Sequence, residues 1–514
     1  MKLSKLFSTL LLSSLSVFTL NNCENRTVAR VTPSNTRVER NVVPVDRRDV
    51  DLLFVIDTSG SMAEEQQSLL NNFPVFIEEL ENIQGGLPNM HIGIISPDVG
   101  DGGANIDPAR CTPEGDRGAL QAQPSSSSCT GVNNPNVERF IVDEDDPNNP
   151  GQRRTNYKGT DPSNTLSETF SCIADIGTNG CGFEQPLEAI RKAIVEPNAS
   201  NAGFIRPGAF LGIIVITDED DCSLISSQSS NFFDQNGANL SSELGPLNSF
   251  RCFEQGVVCD GDPSDPADRR NFGFRENCTT RSDSTFMPAV QDYIDDLKGL
   301  KSNPLDVFVA TIAGPTERVE VGPLCPSTRQ QDAPEPGFVD LQNACSDERI
   351  IDSCPINADV PSRAHPAVRL AEFSSTEAFP TRSSTQSICN EDLRAPLQAI
   401  AEILASAVGS PCLVNTPIDL DPDPNVERFD CNVFDVAAPR TPSQTETRID
   451  SCAATGGTLP CWQISADDEC GADLRLDVCR GAGTMEEMDA GCPAGTEVPV
   501  EDGTEVQTEC FVEI

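Results

Sequence analysis

The chain has 514 residues, 37% of them hydrophobic, with 39 Pro and 36 Gly, so it has room for more than one compact unit while much of its length is loop. Its 80 Asp and Glu against 36 Lys and Arg give a formal net charge of −44, which excludes nucleic acid and anionic membrane surfaces as partners and leaves acidic loops able to collect calcium. Beyond the first twenty residues no stretch approaches the ~18 consecutive apolar residues of a membrane-spanning helix, which excludes an integral helical membrane protein.

Lys2 and Lys5 precede an apolar stretch from Leu6 to Leu20, so residues 1–22 read as an export signal that is removed rather than folded. Leu20-Asn21-Asn22-Cys23 resembles the lipobox of bacterial lipoproteins, with Asn22 where that motif usually carries a small residue; the resemblance implies lipidation of Cys23. Without Cys23, the 21 cysteines leave an even set from Cys111 to Cys510, as expected of disulfides in an oxidising compartment. Zinc is the competing reading, and it fares poorly: the histidines are His91 and His365, and no pair of CxxC motifs stands at zinc spacing. Connectivity is open, with Cys172–Cys181 and Cys252–Cys259 the natural guesses from nearness in sequence.

Residues 23–48 are polar, with scattered Arg, Pro and Thr, and read as a flexible tether. Order is expected from Asp49, where Leu52 to Ile56 is a continuous apolar run suited to a parallel strand buried on both faces. The turn Asp57-Thr58-Ser59-Gly60-Ser61 follows, and then Leu69, Phe73, Phe76, Ile77, Leu80 and Ile83 at helical spacing. His91 to Ser96 reads as a second strand, and residues 97–165 as a loop-rich insertion. A short helix is expected at 166–173, an amphipathic one around Leu187 to Ile194, and the strongest strand at Phe210 to Ile216. After a second insertion at 223–284 come a helix at about 286–300 and a strand at 307–312. A third insertion at 313–361 precedes a last strand at Val368 to Phe373 and a helix holding Leu393, Leu397, Ile400 and Leu404. Alternating strands and helices predict an α/β fold with a doubly wound, mostly parallel sheet over residues 49–410. Residues 411–514 carry eight cysteines and little apolar sequence beyond alternating Leu474 to Val478, and read as a small disulfide-stapled, mainly β module.

The strand–turn–helix at Asp57 to Ser61 places a carboxylate and two serine hydroxyls at the carboxyl end of a sheet strand, where open α/β sheets bind ligands. Hard divalent cations favour such oxygen donors, and Gly60 is expected to let the turn close tightly enough to aim both serines at one point. The alternative is that Ser59 and Ser61 merely cap the following helix.

With its preceding strand and following helix, this motif resembles the metal-ion-dependent adhesion site of the von Willebrand factor A family. The resemblance covers about residues 49 to 410 and implies a magnesium, manganese or calcium ion held by Asp57, Ser59 and Ser61. It also implies a later threonine, Thr178 in Gly177-Thr178-Asn179-Gly180 with Thr160 as its rival, and an aspartate ending a central strand, Asp218. Cys181 and Gly182 stand where many members carry a second hydroxyl residue. Where many members show Asp-Gly, this chain has Asp218-Glu219-Asp220-Asp221, whose last three residues read as a solvated acidic turn or as carboxylates tuning the ion towards calcium. The surrounding blocks look like those of secreted A-domain proteins and lipoproteins of Gram-negative bacteria.

By resemblance, the ion would accept an acidic group from a partner protein or surface polymer, as in adhesion at the cell surface or outside the cell. The competing functions are a scaffold in an envelope or secretion complex, with the metal structural, and a secreted hydrolase. Histidine scarcity argues against catalysis, and neither a P-loop nor a GxGxxG follows a strand.

Overall fold

Leu52, Phe54 and Ile56 point to one side of the strand Asp49–Ile56 and Leu53 and Val55 to the other, and all five are buried. Such a strand needs cover on both faces, and the computed structural model supplies it. Described are residues 36–43, 49–82, 87–121, 139–146, 149, 152–158, 164–196, 198–234, 243–262, 269–301, 304–323, 339–345, 364–380, 382–390, 392–408, 417, 429–437, 444–466, 474–480 and 504–513.

Strands are numbered β1 Thr36–Val43, β2 Asp49–Ile56, β3 Asn89–Ile95, β4 Phe140–Asp145, β5 Arg153–Thr155, β6 Phe210–Ile216, β7 Val257–Val258, β8 Gly273–Arg275, β9 Thr279–Thr280, β10 Val307–Ala313, β11 Val319–Pro323, β12 Val339–Leu341 and β13 Ser383–Ser387. Helices are α1 Ala63–Glu81, α2 Leu166–Ala174, α3 Pro186–Ile190, α4 Ser229–Phe232, α5 Phe250–Gly256, α6 Val290–Gly299, α7 Val368–Phe373 and α8 Arg394–Val408. The central sheet runs β13-β10-β6-β2-β3-β4-β5, parallel from β13 to β3 and antiparallel at β4 and β5. The chain completes one side of β2 with β3, β4 and β5, then returns to lay β6 on its other side. Strand order therefore reverses between β2 and β6, and their carboxyl ends flank a topological switch point.

One core packs Phe54, Ile94, Ile214 and Ile312 against α1, α2 and α8, with the Phe54 ring 4.9 Å from that of Phe170. The opposite face packs Leu53, Val55, Ile213 and Val309 against α3, α6 and α7. The fold is thus the expected α/β doubly wound sheet, with four local departures.

Residues 97–165 contain β4 and β5, which extend the sheet, so this segment is not loop alone. Their polar sequences hide them: Phe140–Asp145 has one buried face only. Val368–Phe373 is helix, not strand. The Asp220 carboxylate accepts from the N–H groups of Arg369 (3.0 and 3.1 Å) and Leu370 (3.2 Å), satisfying donors that a helix start leaves free. The true last strand is the edge segment Ser-Ser-Thr-Gln-Ser of β13, which carries no apolar signal.

Third, β1 lies inside the expected tether and pairs antiparallel with β18 (Thr504–Glu513) in the sheet β1-β18-β14-β15, where β14 is Cys431–Ala437 and β15 is Thr445–Ile449. A hairpin of β16, Cys461–Ala466, and β17, Leu474–Cys479, accompanies it, and Trp462 Nε1 donates to Ile449 O at 3.1 Å. Finally, among the described residues the disulfides are Cys111–Cys181, Cys222–Cys252, Cys259–Cys278, Cys345–Cys389, Cys431–Cys510 and Cys452–Cys461. Cys172–Cys181 and Cys252–Cys259 do not form, because pairing follows which loops meet in space. No helix among the described residues is long and apolar enough to cross a membrane.

Candidate metal centre

Asp57 prolongs the β2–β6 pairing by one step, its N–H donating to Ile216 O at 3.0 Å. Its carboxylate is buried and held from both sides: Oδ1 accepts from Ser59 N at 2.6 Å and Oδ2 from Thr217 Oγ1 at 2.6 Å. Gln66, one turn into α1, donates from Nε2 to Asp57 O (2.7 Å) and to Gly177 O (2.9 Å), joining the end of β2 to the loop that carries Thr178. The hydroxyls of Ser59 and Ser61 are 3.0 Å apart, and that of Ser61 also hydrogen-bonds Asp218. Neither the short turn Gly60–Met62 nor α1 receives a side-chain cap at its N-terminus, so the capping role is not what these serines perform.

The loop 177–185 reaches this turn through its backbone. Gly180 N donates to Thr58 O at 2.8 Å, and Thr178 O lies 4.0 Å from where a side chain on Gly60 would begin. Gly60 therefore has ordinary space, with no positive φ; the position that demands glycine is Gly180, where a Cβ would fall 2.0 Å from Thr58 Oγ1. The Cys111–Cys181 disulfide ties this loop to the one after β3. Thr178 is half-buried beside the site, and Thr160 and Cys23 lie outside the described residues.

The acids around Asp57 are crowded. Burial first, then the charges of Asp57 and Glu219, push the Asp218 carboxyl well above its ordinary range, against a Ser61 hydrogen bond and the nearby His365. Glu184, 1% exposed, is raised well above its ordinary value by burial and then by Asp57. Glu219 is pushed up to about 8 by burial, Asp57 and Asp340, against a hydrogen bond from Ser249 Oγ at 3.1 Å. No Arg or Lys is among the charges dominating these three carboxyls. The rest of the acidic run is not solvated: Asp221 is fully buried and meets Arg369 Nε at 3.0 Å, while Asp220 caps α7.

Sequence reasoning missed Glu184, Thr217 and Gln66. Thr217 is adjacent to Asp218, and Glu184 sits just before Pro186 at the start of α3, positions that the strand–turn–helix logic could have flagged.

A hard divalent cation fits this donor set. Thr58 Oγ1, Asp218 Oδ1 and both carboxylate oxygens of Glu184 are buried without a hydrogen-bond partner, a costly arrangement that an oxygen-seeking ion would relieve. Among the described residues no three His, Cys, Asp or Glu side chains are grouped closely enough to hold an ion by themselves. The histidines are placed otherwise. His91 is buried between Phe204 O (2.8 Å) and Glu144 Oε1 (3.1 Å), while His365 donates its backbone N–H to Asp218 O at 2.8 Å.

No protein-family model matches the chain, and no curated protein matches it. Solved structures similar to it include a von Willebrand factor type A protein from Catenulispora acidiphila, at 10% identity and TM-score 0.26 over 94% of this chain and 66% of that one. The pilus adhesin SpaC from Lactobacillus rhamnosus GG aligns at 11% identity and TM-score 0.26, over 93% of this chain and 40% of that one. The pilus adhesin RrgA from Streptococcus pneumoniae aligns at 12% and 0.24, over 93% and 58%. This chain thus spans less than two thirds of the length of each. The fold class rests on the strand order of the central sheet.

Proposed function

We propose that the chain is an exported, metal-dependent ligand-binding protein of the von Willebrand factor A type, with a divalent cation (magnesium, manganese or calcium) at the switch point between β2 and β6. Ser59, Ser61, Asp57 and Asp218 would hold the ion, directly or through water. An open coordination position would accept an acidic group from a partner protein or surface polymer. The observation that carries this reading is the pair of serine hydroxyls, uncommitted to capping and 3.0 Å apart, facing an Asp218 carboxylate with one oxygen unpartnered. The disulfides support residence in an oxidising compartment, at the cell surface or secreted, with Cys23 as the proposed lipid anchor.

The test is titration calorimetry of each ion into the metal-stripped chain from residue 24 onwards and into the double variant Asp57→Ala/Ser59→Ala. Binding by the parent alone is the expected result; equal binding, or none to either, overturns the reading. The burial of Asp57 and Asp218 favours one second reading, a scaffold whose ion locks the loops. Chelation would then lower the melting temperature without abolishing partner capture.

A further inference from the structure

We propose that Glu184, rather than Thr178, is the ligand that the loop 177–185 delivers to the ion, and that its carboxylate sets the preference of the site towards calcium. This rests on the metal-site reading above and extends it to a residue that the adhesion-site resemblance does not supply.

Three observations converge on Glu184. It is 1% exposed, neither carboxylate oxygen receives a donor, and the side chain that it meets is the Asp57 carboxylate. A buried carboxylate left in that condition is among the costliest arrangements a fold can hold. It also faces a like charge, since the strongest charge acting on it is Asp57, the first residue of the metal turn. Its backbone is fixed on both sides: Glu184 O accepts from Cys222 N at 2.8 Å, four residues beyond Asp218, and Gln185 N donates to Pro97 O at 3.0 Å, after β3. The side chain is thus anchored between the loops that follow β3 and β6, at the same end of the sheet as Asp57. Of Thr178, it is the carbonyl oxygen that lies 4.0 Å from where a Cβ on Gly60 would stand.

One divalent cation beside Asp57 would resolve the orphaned oxygens and the repulsion together. Glu184 already meets Asp57, and because among the described residues no three acidic side chains are grouped at ligating distance, the ion itself would draw this pair, Asp218 and the serines together. The consequence for ion choice follows from ligand chemistry. Calcium takes six to eight oxygens and gains with each carboxylate, while magnesium holds its waters and is content with one or two. A third carboxylate beside Asp57 and Asp218 therefore favours calcium.

The experiment compares four forms of the chain from residue 24 onwards: parent, Glu184→Gln, Thr178→Ala and Asp57→Ala/Ser59→Ala. Each is titrated separately with calcium and magnesium, and its thermal melt is recorded with and without ion. Glu184→Gln is expected to weaken calcium binding at least tenfold and magnesium binding less, with Thr178→Ala within about twofold of the parent. Without ion, Glu184→Gln should melt at or above the parent temperature, because a buried carboxyl pressed against the Asp57 carboxylate has gone, yet gain less from calcium. That opposite pair of signs would not come from a side chain that merely packs. Parent-like binding by Glu184→Gln, with binding lost in the double variant, overturns the role of Glu184 and leaves the metal site standing. Loss in Thr178→Ala alone assigns the ligand to Thr178 instead. No binding of either ion by the parent overturns the site and this proposal together.

Discussion

Thr217 Oγ1 donates to Asp57 Oδ2 at 2.6 Å, linking the residues that immediately follow β6 and β2. The bond spans the switch point and, with Ser59 N on the other oxygen, leaves the Asp57 carboxylate little freedom to rotate. Replacing Thr217 by the isosteric Val keeps the branched side chain and removes the donor from a buried carboxylate. The expected cost is about 1–3 kcal/mol in a denaturant titration, with calcium and magnesium affinity falling about tenfold by calorimetry. Unchanged affinity would mean that the orientation of Asp57 does not matter to the site.

Gly180→Ala should damage the same site from the other side. Its Cβ would meet Thr58 Oγ1 at 2.0 Å and Thr58 Cβ at 2.6 Å, so the loop must move away from the turn. Overpacking of this kind costs about 1–3 kcal/mol. Gly60→Ala, with open space and no positive φ, should stay within about 0.5 kcal/mol, reversing the order expected from the turn sequence. Denaturant midpoints of the two variants decide it.

The disulfide between Cys111 and Cys181 spans 70 residues and holds the loop of Thr178 and Glu184 against the loop after β3. Exchanging both cysteines for serine should lower unfolding free energy by about 2–4 kcal/mol and weaken ion binding. Exchanging Cys452 and Cys461 in the C-terminal module should leave ion binding unchanged. Calorimetry on the two double variants separates these outcomes.

Asp98, 9% exposed, is raised to about 6, chiefly by burial, with the charges of Asp116 and Asp101 adding and the Gly100 N–H opposing. A carboxyl whose folded value lies above its unfolded one holds its proton more tightly in the fold. Its stabilising contribution is complete below about pH 4 and is lost as pH rises through about 6. Asp98→Asn should therefore match the parent near pH 4 and exceed it at pH 7 by on the order of 2–3 kcal/mol. Equal unfolding curves at both pH values would refute the assignment.

Local pattern made much of the fold legible. The runs Leu52–Ile56 and Phe210–Ile216 and the spacing of Leu69, Phe73 and Leu80 declare buried strands and a helix, since apolar periodicity is written within a few residues. The strand β4 and the edge strands β5 and β13 stayed hidden because a half-covered or peripheral strand needs few apolar residues. The helix at Val368–Phe373 was misread because what starts it, the Asp220 carboxylate, lies 149 residues away. Within the candidate site, Asp57 and Asp218 were legible as residues just past the ends of strands, and Ser59 and Ser61 as the turn that leads into α1.

The sequence by itself determined the strand–turn–helix order, the doubly wound sheet and the strand ends at which the candidate site is proposed, because all three follow from short-range periodicity and strand ends. Only the tertiary structure decided which loops share that place. It paired Cys111 with Cys181, gave Asp221 to Arg369, and set Glu184 beside Asp57 with no donor of its own. Disulfide and charge partners are chosen by proximity after folding. The residues that make Glu184 unusual are far from it in sequence, and nothing in its own neighbourhood announces them.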